Sequence, residues 1–354
     1  MAALQAAGIP DLLTTTINNL QRGRWTDNMS KLQRTVVMKI LLRQNKTVFK
    51  GGPAVSFHRQ NALGQNFAWA GLNSEDTTSI PVTMGRGEVP WRHCKWSWGV
   101  DFREPLMCAD DSEVIDLVKT RRTAEMGGAI EAVERAMWRA PVAADTVTMY
   151  GIPYWITKSA TAATDANNLG FNGLAPTGFT TVGGFDPATD DKWRNYTDAY
   201  TAVSEGDLIR KMRRMAEYTA FQPLVENTPT FDYGDPTEYY TNYAVYEVFV
   251  QQLKGQNQNV GKDLAPFENM PTFMRTKIVN IPVLREDTTN PVYQIDWSVF
   301  QVMGLRGAWM KDTIVQNHPS SHVMKVVWTD CTMNTICVDR RLCGVISNGT
   351  GNDI

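Results

Sequence analysis

The stretch that decides the fold is Asp110-Asp-Ser-Glu-Val-Ile-Asp-Leu-Val-Lys-Thr-Arg-Arg-Thr-Ala-Glu-Met-Gly-Gly-Ala-Ile-Glu-Ala-Val-Glu-Arg-Ala-Met-Trp-Arg-Ala-Pro141. Val114, Leu117, Val118, Ala124, Ala129, Ala132, Val133, Ala136 and Met137 recur largely at three- and four-residue steps, which predicts one amphipathic helix over 110–139. Asp110 with Glu113 resembles a capping box with Asp in place of Ser or Thr. Asp111, Glu113 and Asp116 stand at the start and Arg135 and Arg139 at the end, as the helix dipole prefers, and Pro141 stops the run. About 28 residues at ~1.5 Å each make a rod of roughly 40 Å, long for a compact domain. Gly127-Gly128 would weaken it by about 1 kcal/mol each relative to Ala, so a bend or a close-packing contact is expected there.

On the N-terminal side, Ala54 to Arg59 alternates like a strand, and a Gly-rich polar excursion follows through Gly64, Gly71, Asn73, Gly85 and Gly87. A second strand then places Arg92, Cys94, Trp96, Trp98, Val100 and Phe102 on one face and Trp91, His93, Lys95, Ser97 and Asp101 on the other. Two strands around a long tip predict a protruding two-stranded ribbon. Such a ribbon is too thin to hide Trp69, Trp91, Trp96 and Trp98, so they are expected to pack on another subunit. Residues 1–50 carry Arg22, Arg24, Lys31, Arg34, Lys39, Arg43, Lys46 and Lys50 against Asp11 and Asp27, eight cations to two anions in a chain whose formal net charge is −2. This reads as a basic arm, with Val36 to Leu42 its first apolar run.

On the C-terminal side, 140–200 is loop-rich. A helix is expected from Ser204 to about Phe221, with Leu208, Met212, Met215 and Ala216 inward, and another over Tyr239 to Lys254, ended by Gly255. Strands follow at Ile278–Val283, Val292–Ile295 and Val323–Trp328, with a closing stretch from Met333 to Ile346.

Hydrophobic residues make up 43% of the 354, enough for a sizeable core. No secretory signal is expected, and no run approaches ~18 apolar residues, so no membrane partner is expected. Cys94, Cys108, Cys331, Cys337 and Cys343 are read as reduced thiols, the last three on one face of a strand. His318 and His322 are four apart, but Pro319-Ser320-Ser321 between them argues for a loop. Asp186, Asp190 and Asp191 fit no EF-hand frame and read as an acidic turn, as does Glu286-Asp287. There is no G-x-S-x-G elbow, no phosphate loop and no dinucleotide fingerprint. No catalytic, cofactor-binding or metal-binding residue is therefore expected, and the chain reads as a non-enzyme needing no cofactor.

Several segments resemble a family. They are Val182-Gly183-Gly184-Phe185-Asp186 with Lys192-Trp193-Arg194, then Thr289-Asn290-Pro291-Val292-Tyr293-Gln294-Ile295-Asp296-Trp297, then Cys337-Val338-Asp339-Arg340-Arg341-Leu342-Cys343-Gly344-Val345-Ile346. The last is similar to a closing N-R-R-x-x-G-V-L strand, with Asp339 in place of Asn. Together with the element order, these resemble the major capsid proteins of tailed bacteriophages, of the Johnson or Hong Kong 97-like fold. The resemblance implies an α+β fold with an N-terminal arm (1–50), an E-loop (51–104), a P domain (105–204) around the spine helix 110–139, an A domain (205–320), and a closing P-domain strand with the C-terminus (321–354). It implies a virion protein that self-assembles in the host bacterial cytoplasm into hexamers and pentamers of an icosahedral shell around double-stranded DNA. The implied partners are copies of itself, a separate scaffolding protein, a portal and a decoration protein, with non-specific contact to packaged DNA; on charge alone, Arg22, Arg24, Lys31 and Arg34 are expected to face that DNA or, as the competing reading, to pair with acidic patches on neighbouring subunits such as Asp110 and Asp111. No lysine lies between Lys50 and Lys95, so isopeptide welding through the E-loop is not implied. The alternatives are an encapsulin-like compartment shell, a phage tail or fibre protein and, in a different class, a soluble hydrolase.

Overall fold

The computed structural model describes residues 47–60, 66, 69, 80, 82–104, 111–159, 161, 168–220, 237–256, 271–274 and 276–348, without the side chains of 111–117 and 253–256. Most of the basic arm, its apolar run 36–42, most of the ribbon tip, Cys108, Asp110 and Phe221 lie outside the described residues, as does the capping box.

In chain order the elements are β1 (Thr47–Lys50), β2 (Ala54–Gln60), β3 (Met84–Pro90), β4 (Arg92–Asp101), α1 (Asp111–Trp138), the single turn α2 (Ile152–Trp155), β5 (Tyr196–Tyr200), α3 (Arg210–Tyr218), β6 (Thr237–Thr241), α4 (Tyr243–Gln256), β7 (Thr272–Phe273), β8 (Thr276–Asn280), β9 (Val292–Asp296), β10 (Phe300–Leu305), β11 (Lys311–Asp312), β12 (Gln316–His318), β13 (Ser321–Cys337) and β14 (Gly344–Asn348).

Helix α1 runs close to its expected bounds. Its inward stripe is Met126, Ile130, Val133 and Met137, which meet Trp96, Cys331 and Met333 of the sheet below or the shared core. Ala124 and Ala132, counted into the stripe from sequence, are exposed, because a methyl group is tolerated on either face. The glycine pair also departs from expectation. A Cβ at Gly127 or Gly128 would meet nothing within 4 Å, so neither marks a close contact among the described residues. Gly127→Ala with Gly128→Ala is therefore expected to stabilise the subunit by about 1–2 kcal/mol, through helix propensity alone. Thermal unfolding of the soluble subunit checks this, and an unchanged or lowered midpoint contradicts it.

The 17-residue β13 organises the first sheet. Along one edge it pairs with β4 from Met324↔Asp101 to Met333↔Arg92. Along the other it pairs in turn with β12, β11 and β10, and β10 takes β1 in parallel as the outer strand. The second sheet has the order β5-β14-β9-β6-β8-β7. One of its faces carries Tyr240, Tyr293, Ile295 and Val345 into the core shared with the first sheet and α1. The other carries Tyr196, Tyr239, Val292 and Ile346 onto Leu208, Met212 and Met215 of the α3 segment and Val245 and Phe249 of α4. Ala216, expected inward, is only half-buried.

Three readings change. The strand that returns the ribbon is β3, which pairs with β2 from Ala54↔Pro90 to Gln60↔Met84; the tryptophan-bearing β4 belongs to the first sheet. Tyr239 to Thr241 is strand, and α4 starts after Asn242, whose side chain accepts the Val245 amide, and runs through Gly255 to Gln256. The closing stretch is two strands in two sheets, separated by a 3-10 turn at Arg340–Leu342, so Cys343 is not on one strand with Cys331 and Cys337. Residues 300–305 join the first sheet, and 344–348 join the second. Among the described residues no helix is long and apolar enough to cross a membrane.

Candidate assembly surfaces

Val182-Gly183-Gly184-Phe185 is a tight reversal in which the Val182 and Phe185 amides and carbonyls bond each other at 2.8 and 3.2 Å. Gly183 and Gly184 sit at φ +61° and +89°, which L side chains rarely adopt. The reversal presents the Gly183 carbonyl to the Glu88 amide of β3 at 3.1 Å, while the Gly183 amide donates to the Tyr154 hydroxyl at 3.1 Å. The approach depends on a third glycine. A Cβ on Gly87 would lie 2.6 Å from the Gly183 oxygen and from the Phe57 ring.

Aromatic rings surround this contact. Phe57 of β2 stacks on Trp193 at 6.2 Å and meets Phe185 and Trp155 edge-on at 6.0 and 6.3 Å. The Arg59 guanidinium lies 4.7 Å over both Phe185 and Trp193 and pairs with Asp190. Asp190 also accepts the Lys192 amide, and Asp186 accepts the Ala188 amide, so the acidic turn is used for turn closure and for holding the ribbon. The root of the ribbon is thus fixed by hydrogen bonds, packing and charge to the segment 182–193.

The closing segment makes the second joint. Asp339 accepts the Arg341 amide at 3.0 Å and pairs with the Arg341 guanidinium, so Asp serves the turn where Asn would. Arg340, fully buried, donates to six oxygens: Trp155 O (2.6 Å), Trp193 O (2.7 Å), Asn195 Oδ1 (2.8 Å), Thr157 Oγ1 (3.1 Å), Gly173 O (3.3 Å) and Leu174 O (3.4 Å). No carboxylate is among them. Burial pushes the guanidinium down to about 10, which leaves it charged at neutral pH. One side chain thereby ties together loops from 155–157, 173–174 and 193–195, none of which lies in a long element.

Exposed large apolar side chains gather in two places. On the ribbon side Trp69, Ile80 and Val82 are 93%, 96% and 84% exposed. Between β11 and β12 Ile314 is 86% exposed, with Val315 and Met324 of β13 also exposed. The expectation that all four tryptophans need a neighbour is corrected for two of them. Trp96 packs on this chain's own core, as does Trp91, whose indole N–H donates to the Gly52 carbonyl.

The other titratable groups singled out from sequence are dispersed. His93 bonds Thr332, His318 bonds Ser320 across the β12–β13 turn, and His58 is exposed on β2. Glu286 pairs with Arg135. Asp287 pairs with Lys158; burial opposes its charge, but the ammonium holds its carboxyl below the usual range. Among the described residues no three His, Cys, Asp or Glu side chains gather as a metal site would require.

No protein-family model matches the sequence, and no curated protein matches it. Solved structures do. The chain is similar to the capsid asymmetric unit of cyanophage A-1(L), with TM-score 0.62 and 14% identity over 91% of this chain and 94% of that one. It is similar to the capsid of a native GTA particle, with TM-score 0.57 and 10% identity over 92% and 95%. It is also similar to the capsid of Myoviridae phage XM1, with TM-score 0.51 and 11% identity over 94% and 98%. The fold of this chain is that of phage capsid proteins.

Proposed function

We propose that the chain is the major capsid protein of a tailed bacteriophage, a structural subunit and not an enzyme. The observation that carries this is the match to capsid subunits across more than nine-tenths of both chains, with no large part left over on either side. The exposed Ile80 and Val82 beside an anchored ribbon add a physical reason for association, since a monomer gains nothing by holding such side chains in water. In this reading β2 and β3 are the trunk of an E-loop lying over the adjacent subunit. Helix α1 and the first sheet form the P domain, and the second sheet with α3 and α4 forms the A domain, which meets its copies at the centres of hexamers and pentamers. The shell forms in the host cytoplasm with a separate scaffolding protein and a portal, accepts a decoration protein outside, and encloses double-stranded DNA. Packaged DNA is met through its phosphates, without sequence reading, by Arg22, Arg24, Lys31 and Arg34, which lie outside the described residues.

Electron microscopy of the protein expressed with its scaffold tests this. Closed icosahedral shells are expected; monomers under all conditions contradict it. Shells that fill with an enzyme cargo and never with nuclease-protected DNA would assign the encapsulin alternative. Removing residues 61–81, beyond the paired part of the ribbon, is expected to leave folded subunits that do not close shells. Normal particles from that deletion contradict the role given to the ribbon.

A further inference from the structure

Four of the five cysteines fall into two pairs. Cys337 and Cys343 flank the turn at Asp339, both fully buried, and burial pushes the Cys337 thiol far above its ordinary value. Cys94 and Cys331 differ. They stand directly opposite each other in the antiparallel β4–β13 register, so their side chains share a face. Opposed residues in such a pair have Cα atoms about 4.5–5.5 Å apart, inside the range of about 4.4–6.8 Å that a disulfide spans. The Cys94 thiol donates to the Cys331 carbonyl at 3.3 Å, so its sulfur already lies against its partner. Cys331 is buried beneath α1 among Met126, Ile130 and Val133, whereas Cys94 is partly exposed. The hydrogen bond between the two thiols raises Cys94, with burial adding to it, and lowers Cys331, so at rest the proton stays on Cys94 and the thiolate is favoured on Cys331.

We propose that Cys94 and Cys331 are a redox pair that closes into an intrachain disulfide when the protein meets an oxidising thiol–disulfide pool, converting the β4–β13 pairing into a covalent joint. With oxidised glutathione the steps balance. The Cys94 sulfur, giving up its proton to solvent, displaces one glutathione as thiolate and forms a mixed disulfide. The Cys331 thiolate then attacks the Cys94 sulfur, the second glutathione leaves as thiolate, and both glutathione thiolates take up protons. Two electrons pass from the cysteine pair to the glutathione disulfide. The thiols stay reduced in a reducing cytoplasm and close after release. The joint lies at the strand that follows the ribbon, and the inference holds whether or not the chain forms shells.

The test equilibrates the purified full-length protein in glutathione buffers from reducing to oxidising. Samples are quenched in acid, alkylated under denaturing conditions, weighed intact and digested. The expected result is a protein lighter by about 2 Da before alkylation, running as a monomer without reductant and giving one linked peptide joining Cys94 to Cys331. Cys94→Ser and Cys331→Ser should each lose that peptide, and Cys343→Ser should keep it. Full alkylation of Cys94 and Cys331 across the oxidising series, or a linked peptide from Cys337 and Cys343 alone, would overturn the proposal. Because Cys94 is the more exposed of the two, Cys94→Ser is the control if Cys331→Ser fails to fold.

Discussion

Arg340→Met is expected to destabilise the subunit by on the order of 4–6 kcal/mol, enough to abolish soluble expression if total stability is ordinary for a domain. Methionine fills much of the volume, so the loss is not chiefly a cavity. It comes from the acceptors left behind. The carbonyls of Trp155, Trp193 and Gly173 would lose a charged donor in a buried site. Arg340→Lys keeps the charge, but one ammonium cannot span six oxygens that a planar fork reaches at once, so it should recover only a minor part. Chemical denaturation of whatever soluble protein is recovered measures both. A methionine variant whose midpoint lies near that of the parent would refute this account of the joint.

The second large effect is on assembly. Gly87→Ala places a methyl group 2.6 Å from the Gly183 oxygen and the Phe57 ring and 2.8 Å from the Phe185 ring. Backbone stands on one side and packed rings on the other, so the ribbon root must move away from the 182–185 reversal. Overpacking of this kind costs about 1–3 kcal/mol, and about 1.4 kcal/mol already shifts a docked ribbon tenfold toward undocked forms. The strand pairings of the two sheets do not include this contact. The expected phenotype is therefore a cooperatively folded subunit with at least a roughly tenfold lower yield of closed particles on a sucrose gradient. Gly51→Ala, where an added Cβ meets nothing within 4 Å, is the matched control. Equal particle yields from the two variants would contradict the anchoring role of Gly87.

Helix α1 was legible because its apolar period, its charge bias and Pro141 agree with one another. Strand β3 was not. Met84-Gly85-Arg86-Gly87-Glu88-Val89-Pro90 carries two glycines and a proline, which locally argue for a loop, and only the neighbouring backbone at Gly183 explains why a glycine stands in a strand. Strand β6 was absorbed into the following helix because Tyr239 and Tyr240 continue its apolar pattern; the signal that separates them is Asn242, a strong N-cap residue. The Arg340 joint was opaque to composition and periodicity, since an unpaired arginine reads as surface. Its neighbours in the motif pointed to the family, and the three loops that it gathers become visible only once the chain is folded. The Cys94–Cys331 pairing was hidden for the same reason, as strand register across most of the chain is not a local property.

The two joints also stand in series. Phe57, on the ribbon, stacks on Trp193; the carbonyl of Trp193 is held by Arg340, and Arg340 sits between the long strand of one sheet and the last strand of the other. A pull on the β2 side of the ribbon is thus carried sideways, across rings and one guanidinium, into both sheets, while the β3 side passes it through Trp91 directly into β4. On the β2 side, rupture under tension should begin at this lateral linkage.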